Sequence, residues 1–112
     1  MPGGVTTDVK TYSMMINGEW VGSKSRKTFP VYDPSTEEVI AQVPDANAED
    51  VNRAVAAAKA AFEEGPWATT TAQERGRVLF RLSEKVRQNL SMLAELECRN
   101  SGKPIVEAEY DI

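Results

Sequence analysis

The apolar residues change period between Pro44 and Asn47, and that change demands a chain with two kinds of structure. Before it, short apolar runs alternate with turn formers. Met14-Met15-Ile16 and Glu19-Trp20-Val21 flank Asn17-Gly18, the strongest two-residue hairpin signal, because both residues accept positive φ. Residues 22–27 are small and basic and read as an exposed loop. Phe29 to Tyr32 begins another strand. Asp33-Pro34-Ser35-Thr36 is a turn with Asp first and Pro fixing φ at the second position. Val39 to Val43 is a further strand, closed by Pro44. The first part is therefore a small antiparallel β unit.

After Asn47 the period becomes helical. Asn47 caps a helix, with Asp50 three residues on as the acid of a near capping box. Val51, Ala54, Val55, Ala58 and Phe62 share one face, and the surrounding alanines give a thin helix suited to close packing. Gly65-Pro66 stops it. Thr71-Ala72-Gln73-Glu74 is a full capping box for a second helix, with Leu79, Leu82, Val86 and Leu90 on one stripe. Ser91 is expected to cap a third, with Met92, Leu93 and Leu96 inward. Gly102-Lys103-Pro104 stops that helix, with Gly supplying the left-handed position and Pro following it. A fourth helix starts near Val106 and has room for about two turns, so the chain reads as truncated. Met1 to Ser13 reads as a disordered leader and not as a secretory signal, since its first twelve residues hold one Lys and no apolar core. The expected fold class is an α+β segment, an antiparallel β unit followed by three to four helices.

A chain of 112 residues is one domain or part of one. Folded alone it could bury roughly two-thirds of its surface, too little core to enclose a large cofactor and a substrate tunnel. The net charge of −4 gives no basic footprint, so no nucleic acid is expected. No apolar run approaches the ~20 residues of a membrane span, and no membrane partner is expected. The single cysteine cannot form an internal disulfide. Cytoplasm is the expected location by default.

The chemistry-bearing residues are few. The absence of histidine removes the commonest general base, so neither a Ser-His-Asp nor a Cys-His system can be built from this chain alone. Cys98 has only Arg99 and Lys103 nearby to activate it, and reads as a small packing residue. The pairs Glu37-Glu38, Glu49-Asp50 and Glu63-Glu64 do not converge, because adjacent helical residues point apart, and read as solvated. Trp20 and Trp67 read as core or lid aromatics. No glycine pattern offers a phosphate cradle.

The ordered series of motifs resembles the N-terminal region of the aldehyde dehydrogenase superfamily. It runs from Ile16-Asn17-Gly18-Glu19-Trp20 through Asp33-Pro34-Ser35-Thr36-Glu37-Glu38-Val39-Ile40 to Asp50-Val51. It continues with Arg53 to Phe62, Trp67, Glu74-Arg75-Gly76-Arg77, Leu82, Glu97 and Gly102-Lys103-Pro104. The family's usual Gly is replaced here by Glu37.

The resemblance implies that residues 14–112 are the truncated front of an α/β fold, packing on its doubly wound nucleotide-binding domain. It implies an aldehyde as substrate and NAD or NADP as cofactor, bound by the missing part of the chain. In such enzymes a cysteine forms a thiohemiacetal, hydride leaves to the nicotinamide, and a glutamate-activated water hydrolyses the thioester. Those catalytic and cofactor residues lie beyond Ile112, and Cys98 does not inherit the nucleophile's role. This chain alone is therefore expected to be inactive, and the complete protein to be a homo-oligomer.

Two sites map onto the chain by resemblance. A monovalent cation would be held by backbone carbonyls at Val31 and Tyr32 and by Asn100, where the family commonly has Asp. Helix C-terminal capping is the competing role for Asn100. Tyr110 and Asp111, taken as the start of the last helix, would stand at the substrate entrance, where an acid and an aromatic favour a cationic end on an aminoaldehyde or betaine aldehyde. The alternative reading of the whole chain is a non-catalytic folding or interaction unit.

Overall fold

The computed structural model describes residues 9–112. Five short strands precede four helices, as the change of period demands. Strands β2 (Met14–Ile16) and β3 (Glu19–Val21) form an antiparallel hairpin. Its turn uses Asn17 and Gly18 at φ 53° and 77°, the pair of positive φ values a type I′ turn needs. Strands β4 (Thr28–Tyr32) and β5 (Val39–Pro44) pair antiparallel. β4 lies at a sheet edge, which is why it tolerates Pro30.

The expected leader is corrected in its last part. Lys10 and Thr11 form strand β1, parallel to β5 opposite Ala41 and Gln42, giving the order β1-β5-β4. The free edge of β5 recruits them, and the Tyr12 amide extends the pairing by donating to the Gln42 carbonyl at 2.9 Å. Residues 1–8 of the expected leader lie outside the described residues.

Helix α1 spans Ala48–Glu63, and a single 3₁₀ turn follows at Pro66–Thr69. Helices α2 (Ala72–Gln88), α3 (Leu90–Ser101) and α4 (Ile105–Asp111) complete the chain. Three helix ends differ from expectation. The capping box at Asn47 is complete, with both reciprocal bonds made. At Thr71 the side chain accepts from the Glu74 amide, but the Glu74 carboxylate pairs with Arg77. Ser91 does not cap α3: the break falls at Asn89, whose side chain donates to the Lys85 carbonyl at 2.8 Å, so Leu90 belongs to α3.

Among the described residues the buried apolar set is small: Ile16, Ala41, Ala94 and Ala108. The radius of gyration is 17.9 Å, against about 13 Å for a compact chain of this length. The Val51, Val55 and Phe62 stripe of α1 is open, and so are Leu79 and Leu82 of α2. Trp20 is 72% exposed and is not a core residue. The two-thirds burial expected of a self-contained domain is not reached. The α+β class and the four helices are as read.

Candidate functional site

One place where the β unit and the helices meet is the β4–β5 turn, which rests on the end of α3. Asp33 opens that turn and is buried, accepting from the Ser35 amide at 2.8 Å and the Ser35 hydroxyl at 2.6 Å. The Ser35 hydroxyl, then the Ser35 amide, hold its carboxyl below the usual 3.8, with a smaller contribution from the Arg99 charge on α3. The turn closes with Glu37 at φ 61°, its amide donating to the Asp33 carbonyl at 2.8 Å. The left-handed region suits glycine and strains other residues. On the helix side Gly102 ends α3 at φ 75°, and a Cβ there would lie 3.0 Å from the Pro34 ring.

A groove of about 440 Å³ runs along this junction and is lined by Val31, Ile40, Leu96, Arg99 and Asn100, among others. The fold thus brings Val31 and Asn100 to one groove, while the Tyr32 side chain is exposed and outside it. A register irregularity falls between Val31 and Tyr32, where Ile40 is the extra residue of β5. Such bulges interrupt ladder pairing. Among the described residues no three His, Cys, Asp or Glu side chains cluster to hold a metal ion.

Tyr110 and Asp111 lie at the end of α4 and not at its start, because the helix already begins at Ile105 after Pro104. Tyr110 is 87% exposed. The Asp111 carboxylate is engaged by the Lys103 ammonium. Asp111, first through this hydrogen bond and then through its charge, raises the Lys103 pKa above the usual 10.5, with Glu97 and Glu107 adding smaller contributions.

The third polar centre is the Asn47–Asp50 cap, extended by donors from the 22–27 loop. Asp50, read as solvated, is 1% exposed. Its carboxylate accepts from the Ser23 hydroxyl at 2.6 Å, the Asn47 amide at 3.0 Å and the Lys24 amide at 3.1 Å, with Arg53 at 3.6 Å. The Ser23 hydroxyl, then the Asn47 and Lys24 amides and the Arg53 charge, lower its pKa from 3.8. The correction has a physical cause: the 22–27 loop folds back over the helix start and replaces water as the donor. The spacing of Asn47 and Asp50 pointed to the cap, but no local signal pointed to Ser23.

Cys98 is half-buried on α3, as a packing residue would be. The described residues do not fit a dinucleotide. Their one parallel pairing, β1 with β5, has two residues a side and no helix N-terminus following a glycine-rich turn.

Residues 20–112 match the model of the aldehyde dehydrogenase family. The chain is 50% identical over 99 residues to aldehyde dehydrogenase family 2 member B4, mitochondrial, of Arabidopsis thaliana, covering 88% of this chain and 18% of that protein. Its fold is similar to the NAD-dependent aldehyde dehydrogenase of Sinorhizobium meliloti (TM-score 0.88, 35% identity), with 92% of this chain covering 21% of that one. It is also similar to the betaine aldehyde dehydrogenase of Staphylococcus aureus (TM-score 0.85, 36% identity), covering 88% and 20%. The chain belongs to the aldehyde dehydrogenase family, as an N-terminal segment of that superfamily. It spans about one-fifth of the length of the relatives it matches.

Proposed function

We propose that these 112 residues are the front scaffold of an enzyme that oxidises an aldehyde to a carboxylic acid with NAD or NADP. The cysteine thiohemiacetal and thioester chemistry belongs to residues outside this segment. The observation that carries this reading is the pairing of family membership with open apolar stripes on α1 and α2, next to relatives about five times longer. The stripes then dock on the nucleotide-binding body of the same protein. A free-standing interaction unit is less well supported, because the family match runs unbroken from residue 20 to residue 112.

The 112-residue chain alone is expected to be inactive. Incubated with an aldehyde and NAD, it should give no rise in reduced-cofactor absorbance, while the full-length protein should. A steady rate from the short chain would contradict this assignment.

Three narrower proposals follow from it. The carbonyls of Val31 and Tyr32 with the Asn100 amide oxygen are suited to a monovalent cation, supported by the interrupted ladder at Val31–Tyr32 and the shared groove of Val31 and Asn100. Tyr110 and Asp111 stand at the substrate entrance, where a cationic aldehyde is the favoured class, supported by the likeness to a betaine aldehyde dehydrogenase. The complete protein is a cytoplasmic homo-oligomer. The described residues contain no helix long and apolar enough to cross a membrane.

A further inference from the structure

We propose that Lys103 is a specificity-determining residue that screens the Asp111 carboxylate and lowers its preference for cationic aldehydes; this rests on the entrance reading of Tyr110 and Asp111 given above.

The side chain is placed by its backbone. Before it stands Gly102, whose left-handed φ of 75° strains other residues and where a Cβ would crowd the Pro34 ring at 3.0 Å. After it stands Pro104, with φ fixed at −57° at the start of α4. The Lys103 amide is further tied to the Ser101 hydroxyl at 3.3 Å. With both flanks set, the lysine stem reaches along α4 and its ammonium meets Asp111 at the far end.

The consequence is electrostatic. The side chains are one-third and one-half exposed, so each charge still acts on a neighbouring ligand. A trimethylammonio group arriving beside Asp111 meets a carboxylate that already holds a cation, and must share it. Specificity is a difference between affinities, and a fixed like charge at the mouth lowers it without touching the reacting carbon. The charges of Glu97 and Glu107 also favour the protonated form of Lys103.

The test uses the full-length protein and two aldehydes of equal shape, a trimethylammonio aldehyde and its tert-butyl isostere. The readout is the ratio of their kcat/KM values at low salt. Lys103→Met should raise the ratio about threefold to fivefold, as expected for removing a partly screened charge. Lys103→Arg should leave it unchanged, and Asp111→Asn should lower it. The double variant should match Asp111→Asn, because the lysine acts through the aspartate. The gain in Lys103→Met should shrink at high salt. An unchanged ratio in Lys103→Met, with Asp111→Asn still lowering it, overturns the screening role and leaves the entrance reading standing. An unchanged ratio in Asp111→Asn overturns the entrance reading itself, and the screening role with it. If Lys103→Met does not fold, a gain in the ratio for Lys103→Gln supports the role, and no gain overturns it.

Discussion

The strand-bearing first part and the helical second part of this chain are held by different forces. From Lys10 to Asp50 the backbone is closed by sheet ladders and by two carboxylates, Asp33 collecting donors within its own turn and Asp50 collecting them from the helix cap and the 22–27 loop. From Val51 onward the helices satisfy their own backbones, but the apolar stripes of α1 and α2 face outward. Hydrogen-bonded networks stabilise a region from within, whereas an amphipathic helix derives most of its stability from whatever covers its apolar face. The first region is therefore held partly from within, and the second depends on a cover.

The largest effect expected from this contrast is at Leu82. It is 56% exposed here. If the body of the full-length enzyme covers α2, Leu82→Ala in that protein should cost about 2–5 kcal/mol, the range for emptying a packed core site. Denaturant unfolding would measure it. A cost under about 0.5 kcal/mol, the level of an ordinary surface change, would mean the stripe stays open and the contrast has no second half.

The polar half is probed by acid. Asp33 and Asp50 both have pKa values lowered from 3.8 in the fold. A carboxyl whose folded pKa is depressed contributes stability that is present above its unfolded value and lost as pH falls through its folded value. The β unit and the start of α1 should thus loosen as pH drops below about 4. Hydrogen exchange at the Lys24, Ser35 and Asn47 amides would show it. Asp50→Ala should raise exchange at Lys24 and Asn47 by about tenfold or more at neutral pH, since both amides lose their acceptor. Unchanged protection would show that the loop is held by something other than this carboxylate.

The joint between the two regions is probed at Gly102. A Cβ there meets Pro34 at 3.0 Å while the backbone sits at φ 75°. Gly102→Ala should cost about 1–2 kcal/mol from the left-handed conformation alone, plus the displacement of the β4–β5 turn. A thermal shift smaller than that of a neutral surface substitution would mean the turn and α3 do not in fact bear on one another.

What could be read from the residues divides along the same line. Asn17-Gly18, the Asp33 turn, the Asn47 cap and the Gly102 stop are local, and each appears where its chemistry placed it. Strand β1 is not legible locally, because the pairing of Lys10 and Thr11 is supplied by the distant edge of β5. The full setting of Asp50 was not legible because Ser23 and Lys24 come from the 22–27 loop, and the pairing of Asp111 was not legible because Lys103 lies eight residues away in sequence and reaches it across the length of α4. Apolar periodicity marked which faces want cover but not that Val51, Val55 and Phe62 would find none among the described residues. Local chemistry is legible in a sequence, and contacts made over distance are not.

The smallest effect is expected at Glu37, and its sign is opposite to the others. Glu37 holds φ 61° in the turn that packs against α3, and its backbone amide, not its side chain, makes the turn's hydrogen bond. A non-glycine residue in that region carries about 1–2 kcal/mol of strain. Glycine removes the strain but makes the unfolded chain freer, which offsets about 0.4–1 kcal/mol. Glu37→Gly in the full-length protein should therefore be stabilising by about 0.5–1 kcal/mol net, read as a higher denaturant midpoint with an unchanged slope. Glu37→Asn, which tolerates the left-handed region better than Glu, should recover part of that gain. If Glu37→Gly instead destabilises the protein, the Glu37 side chain must hold a contact in the full-length enzyme, and the turn is braced from the side the helices leave open.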